Sequence, residues 1–202
     1  MSGISTMRVL ILGLAAALLA PVAANAQFSD SFTFLKAVRD RDGSKVEDIL
    51  RKNSNYLDTK DVTSGEAAVH IVVKRRDSQW LSYLLAKGAN PNARDVDGNT
   101  PLIYAAQIGF AEGVEQLLAR KAGVDLPNRS GETPLIKAVQ AGDLQVVRLL
   151  VAAGANPKKP DSVAGKSAHD YAAGNPRLGV ILKVLDEAKP AAPARPIAGP
   201  KL

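Results

Sequence analysis

Few residues in this 202-residue chain could do chemistry. There is no cysteine, which removes disulfides, thiolate metal sites and cysteine nucleophiles together. Only two histidines exist, His70 and His169. The step from His169 to Asp170 suggests an acid–base pair, but neighbours on a helix point in different directions, and Asp170 reads as a helix-cap residue. Asp95-Val96-Asp97-Gly98 opens like a calcium loop, yet the later carboxylate that such a loop needs is missing. No glycine-rich phosphate loop leads into a helix. No nucleophile has a base placed beside it. The expectation is a protein without catalytic residues, cofactor or metal.

The charge balance is equally uninformative about an enzymatic substrate. The chain carries 26 Lys and Arg against 20 Asp and Glu, a formal charge of +6. Arg8, Arg195 and Lys201 lie at the ends, so Gln27 to Lys189 holds 23 basic and 20 acidic residues. Nucleic acid would call for a clustered basic face, so it is not expected as a partner. An anionic membrane surface or an acidic protein remains compatible with that balance. The 46% hydrophobic content is ordinary, and aromatics at 4% with abundant alanine point to helices packed through small aliphatic side chains.

Residues 1–26 read as an address rather than as structure. Arg8 supplies the positive start, Val9 to Ala20 an uncharged apolar run of twelve residues, and Pro21 a helix break before Ala24-Asn25-Ala26. That order fits a secretory signal cleaved after Ala26, and Met7 offers a second start. The run is shorter than the roughly 20 residues that a membrane span needs. A periplasmic or secreted mature protein is expected, held together without disulfides.

The elements that would position any functional residue come from a repeat. Gly98-Asn99-Thr100-Pro101-Leu102-Ile103 returns 33 residues later as Gly131-Glu132-Thr133-Pro134-Leu135-Ile136. Leu117-Leu118 returns as Leu149-Leu150, one residue out of step. The same step backwards from Gly98 reaches Gly65, and Gly165-Lys166-Ser167-Ala168-His169 begins a fourth copy after a longer loop. In the second copy Thr100 is placed to cap a helix with Pro101 in its first turn. Leu102, Ala105 and Ala106 form its buried stripe, and Gly109 stops it. Val114, Leu117 and Leu118 line an antiparallel second helix. Gly142, Val146, Val147, Leu149 and Leu150 repeat the arrangement. Single units of this kind cannot bury their apolar face alone, so they must stack.

This 33-residue period, opened by Thr-Pro-Leu, resembles the ankyrin repeat over about Ser31 to Lys189. The resemblance implies an all-α solenoid of helix-turn-helix units joined by β-turn loops. The boundaries fall at 27–63 for an N-terminal capping helix pair, then 64–96, 97–129, 130–163 and 164–189 for the repeats, then a Pro/Ala-rich tail over 190–202, expected to be disordered. In the cap, Phe34, Leu35, Val38, Val46, Ile49 and Leu50 face inward. Val180, Ile181, Val184 and Leu185 do so at the other end. Repeat one, with Ala67-Ala68 for Thr-Pro and Arg76 for the helix-ending glycine, reads as the weakest unit, and Lys121 replaces a loop glycine in repeat two. Trp80 is expected in the core with Leu84. His70 takes the place most often held by histidine in the family, where it ties neighbouring turns together.

The resemblance also implies a recognition face made of turn tips and first helices. Carried over by register, the tips offer Ser64, Glu66, Arg94, Val96, Asp97, Asn99, Arg129, Ser130 and Glu132. The first helices add Arg39, Lys74, Arg75, Gln107, Ile108 and Gln140. That face grades from basic at its N-terminal end to neutral and partly apolar, with Val96 and Ile108 as apolar anchors. The expected function is a non-catalytic, monomeric scaffold that binds a partner protein, an exported enzyme being one candidate. Envelope association through membrane or peptidoglycan, and action as a secreted effector, stay open.

Overall fold

The computed structural model describes residues 21–188, so the proposed apolar signal run and the Pro/Ala tail lie outside the described residues. Among the described residues ten α-helices follow one another: α1 (Pro21–Asp40), α2 (Gly43–Lys52), α3 (Ala68–Lys74), α4 (Ser78–Ala86), α5 (Pro101–Gln107), α6 (Ala111–Ala119), α7 (Pro134–Ala141), α8 (Leu144–Ala152), α9 (Ala168–Ala173) and α10 (Gly179–Asp186). Single 3₁₀ turns occupy Ser54–Asp58 and Pro176–Leu178. Among the described residues there are no strands beyond two isolated bridges, Lys60 to Ala67 and Pro160 to Ser167. No helix there is long and apolar enough to cross a membrane.

The helices form two rows. α1, α3, α5, α7 and α9 pack in sequence as one row, and α4, α6, α8 and α10 pack in sequence as the other. Each helix also packs on its hairpin partner, and α2 sits closer to α1 than to α4. The architecture is the all-α solenoid of stacked pairs that the repeat implies. One helix runs from Pro21 through Ala26 to Asp40, so the first helix of the expected cap, placed from residue 27 on, is continuous with the residues before it.

Local chemistry explains the helix starts. Thr100 and Thr133 each accept a bond from the backbone N–H three residues on, Ile103 and Ile136, at 3.3 Å, with Pro101 and Pro134 next in line. Ser167 and Asp170 cap α9 reciprocally, which fixes Asp170 as the cap residue its position suggested. Asp42, Asp77 and Asp143 cap α2, α4 and α8. The stops follow the repeat too: Gly109 and Gly142 turn the chain with φ of 65° and 70°.

The core is one continuous strip of small aliphatic side chains. Phe34, Leu35, Val38, Val46, Leu102, Ala105, Ala106, Val114, Leu117, Val146, Val147, Leu150, Ile181 and Leu185 are buried. Ile49, Leu50, Leu118, Leu149 and Val184 are half-buried against it. Val180 is not inward as expected: it is 59% exposed, on α10, which is the last helix among the described residues. Repeat one also departs from expectation. Its first helix buries six of its seven residues, Ala68 through Val73, so the missing Thr-Pro pair has not thinned its core.

Candidate recognition face

The turn tips are tied into a ladder. Val96 N–H donates to the Ser64 carbonyl at 3.0 Å, Arg129 N–H to Asp97 at 2.9 Å, and Ser162 N–H to Ser130 at 2.9 Å. Each tip is folded on one Asx side chain. Asp61 Oδ1 accepts from the N–H groups of Thr63 and Ser64, Asp95 Oδ1 from Asp97 and Asn99, and Asn128 Oδ1 from Ser130 and Glu132. The Asp-Val-Asp-Gly segment is therefore a turn whose carboxylate is consumed by backbone N–H groups. Among the described residues no cluster of His, Asp or Glu is set to hold a metal.

Tyrosines on the first helices brace these turns. Tyr104 donates to Asp95 Oδ2 at 2.6 Å, and Tyr171 donates to Asp161 Oδ2 at 2.7 Å. Burial would raise the Asp95 pKa, but the bonds from Tyr104 and Asn99 outweigh it and hold the carboxyl below its usual range. An aspartate nine residues before Tyr104 and ten before Tyr171 is visible in the sequence, and it is the signal by which these braces could have been found.

His70 joins two tips as its register implied. Ala67 N–H donates to Nδ1 at 3.1 Å, which leaves Nε2 to carry the proton and donate to the Asn99 carbonyl at 3.1 Å. The ring is fully buried and stands edge-on to Tyr104. Burial pushes its pKa down and keeps it neutral. His169, far along the chain, is half-buried instead. Its Nε2 lies 2.9 Å from Asp186 on α10, clamping the last hairpin.

The residues assigned to the recognition face divide into two sets. Several are occupied in holding the solenoid together. Arg75 reaches back across the α3–α1 junction to the Val38 carbonyl at 3.1 Å and to Asp77 at 3.4 Å. Arg94 spans the tips, donating to the carbonyls of Gly98 at 3.2 Å and Pro127 at 2.7 Å. Asn99 bonds Asp95 and accepts from Asn128 at 3.1 Å. Glu132 takes Lys137 at 2.7 Å, and Asn128 and Gln140 besides. Ile108 is half-buried rather than open, with its carbonyl accepting from Arg76. Arg75 and Arg94 each donate to a backbone carbonyl one repeat away, whereas Asn99 and Glu132 are held by neighbouring side chains.

The second set faces outward. Val96 is 43% exposed, and Asp97, Gln107, Arg129 and Gln140 are exposed too. Arg39 and Lys74 are exposed but paired, Arg39 with Asp61 at 3.1 Å and Lys74 with Glu66. Lys74 also lies 4.3 Å from the centre of the Tyr104 ring. The basic grading of the face is thus neutralised where it was expected to be strongest. Ser64, Glu66 and Ser130 are half-buried within the turns.

Asp77 was missed by the sequence reading. It is buried beneath the α1–α3 junction, caps α4 through Trp80 N–H, and is held by Arg41 at 2.6 Å. Asp77 is 3% exposed but Arg41 is 62% exposed, so solvent screens the pair, and the contacts from Arg41 and Arg75 tie the cap to repeat one without the cost of a fully buried charge. Trp80 is half-buried on the outer side of α4, where Leu84 on the same helix is fully buried. It packs against the core while one side of the ring lines a surface groove, so core packing and partial exposure at the back of the solenoid are both met.

A protein-family model described as ankyrin repeats (3 copies) matches residues 34–128 and 109–192, most of the chain.

Proposed function

The chain belongs to the ankyrin-repeat family, and from that premise we propose that it is a non-catalytic scaffold which acts in the periplasm and binds a partner protein through its turn tips and first helices. Ankyrin repeats are in general protein–protein interaction modules. The observation that carries the reading is the tip ladder. It presents Val96, Asp97 and Arg129 in fixed order beside Gln107, on a frame whose own polar groups are satisfied. Such a surface is preorganised, so a partner would not have to order it on binding. An exported enzyme is a partner consistent with the signal-like residues 1–26.

Two measurements test this. The full-length chain, expressed in a Gram-negative host and fractionated, should appear in the periplasm with a mature N-terminus at Gln27. Retention of the uncleaved chain in the cytoplasm would remove the periplasmic half of the reading. Affinity capture from periplasmic extract should recover a partner that the triple variant V96D/Q107A/R129E loses while folding normally. Identical recovery by the two proteins would show that another face does the binding.

A further inference from the structure

On the outer side of the solenoid, α2 and α4 leave a groove that none of the turn-tip contacts involves. α4, α6, α8 and α10 pack closely in their row, but α2 stands off from α4. One hollow of about 310 Å³ lies there, lined by Gly43, Glu47, Gln79, Trp80 and Tyr83. A second of about 350 Å³ adjoins it across Glu47, reaching Leu50, Arg51, Ser54, Leu57 and Lys87, with the Arg51 charge paired to Asp48. A Cβ placed on Gly43 would meet nothing within 4 Å, so no side chain of α2 fills the first hollow there.

The lining has a definite chemistry. Trp80 and Tyr83 stand edge to face, 5.5 Å apart. Tyr83 donates to Glu47 Oε1 at 2.7 Å, and Lys87 lies 2.8 Å from the same carboxylate. These bonds hold Glu47 below its usual pKa, and burial with the Glu47 bond pushes the Tyr83 hydroxyl far up. The carboxylate is therefore ionised, but Lys87 has already neutralised it. Gln79 adds an exposed amide with donor and acceptor.

We propose that this groove is a saccharide-binding site, taking a neutral oligosaccharide with one pyranose ring against Trp80 and the next beyond Glu47. Two features select this ligand. A free cation is disfavoured because Lys87 already sits on Glu47 and 5.5 Å from the Tyr83 ring. Two hollows of similar size, each at the small end of the range for ligand pockets and sharing one polar wall, suit a chain of similar rings better than one compact molecule. Aromatic rings cover the apolar faces of such rings, while Glu47, Gln79 and Lys87 supply acceptors and donors for hydroxyls.

Trp80 is the only tryptophan, so its emission reports on this groove alone. The full chain should be titrated with chitotriose, with cellotriose and with choline chloride. The expected result is a saturable emission change with at least one trisaccharide and none with choline. By calorimetry, E47A and Q79A should each weaken that binding tenfold or more with an unchanged melting temperature, and V96D/Q107A/R129E should leave it intact. No saturable response to either trisaccharide, or a saturable response to choline, would overturn the proposal.

Discussion

Among the described residues three non-glycine positions, Arg41, Arg76 and Lys121, hold positive φ of 59°, 55° and 61°. For a residue with a Cβ the left-handed region costs about 1–2 kcal/mol. Arg41 and Arg76 offset that strain by bonding Asp77 and the Ile108 carbonyl. Lys121 is exposed, and glycine fills its place in the neighbouring repeats as Gly88 and Gly154. Lys121→Gly should therefore stabilise the protein by about 0.5–1 kcal/mol, after the entropy that glycine adds to the unfolded chain is subtracted. Denaturant titration decides it, and a lower midpoint would contradict the argument. His70 gives a pH dependence of known sign. Burial lowers its pKa in the folded state from the ordinary value near 6.5, so the unfolded chain takes the proton first. Its stabilising contribution is complete above about pH 6.5 and is lost as pH falls from there toward the lowered folded value. Melting temperature should drop as pH falls below about 6.5, and the His70 ring should titrate by NMR at a lower pH in the folded chain than in the urea-unfolded chain. A ring that titrates no lower when folded would contradict the buried, neutral assignment. The place of His70 was legible in its register alone. The fates of Arg75, Arg94 and Asn99 were not, because each depends on which carbonyl or amide lies one repeat away in space.

At the scale of elements, starts and stops were legible where a cap is made by local sequence, as at Thr100, Thr133 and Ser167. Pairing between helices was less so. Trp80 has the spacing of a core residue, yet α2 offers glycine at position 43 and stands off, so the indole is left half-covered. α6 shows the opposite case. Where α2, α4 and α8 begin with a capping aspartate, α6 begins with Phe110, which makes no side-chain cap bond. Phe110 is instead 6% exposed and lies over Gly113, where an added Cβ would run into its ring. Burial has replaced capping as the device that fixes this helix start. A helical Gly→Ala change is ordinarily favourable by about 1 kcal/mol. Gly113→Ala should instead destabilise by about 1–3 kcal/mol through overpacking. In a Phe110→Ala background the same change should turn neutral or favourable, and that coupling, measured in a double-mutant cycle, separates ring contact from a backbone effect. An additive cycle would mean that the ring moves away at no cost.

The whole molecule is a one-dimensional stack, so its stability is expected to be nearly a sum of unit and nearest-neighbour interface contributions along the continuous core strip. Its two ends are unequal. The N-terminal cap buries Phe34, Leu35, Ala37 and Val38 on α1 and is locked to repeat one through Arg41 and Asp77. At the C-terminal end, α9 has six residues and buries only Ala168 and Ala172, while α10 buries Ile181 and Leu185. Two methyl groups and two aliphatic chains contribute far less burial than α3 or α5 does, at about 0.8 kcal/mol for each CH₂ group. The last unit, rather than the repeat that lacks its Thr-Pro pair, is then the lowest rung of the stability ladder. Native-state hydrogen exchange should show the amides of α9 and α10 opening at lower free energy than those of α5 and α7. Leu185→Ala, which costs about 2–5 kcal/mol at a buried site, should accelerate exchange in α9 and α10 and leave α3 to α6 nearly untouched. If exchange instead quickens equally from α3 to α10, the stack is a single cooperative unit and the recognition face cannot loosen at one end without unfolding at the other.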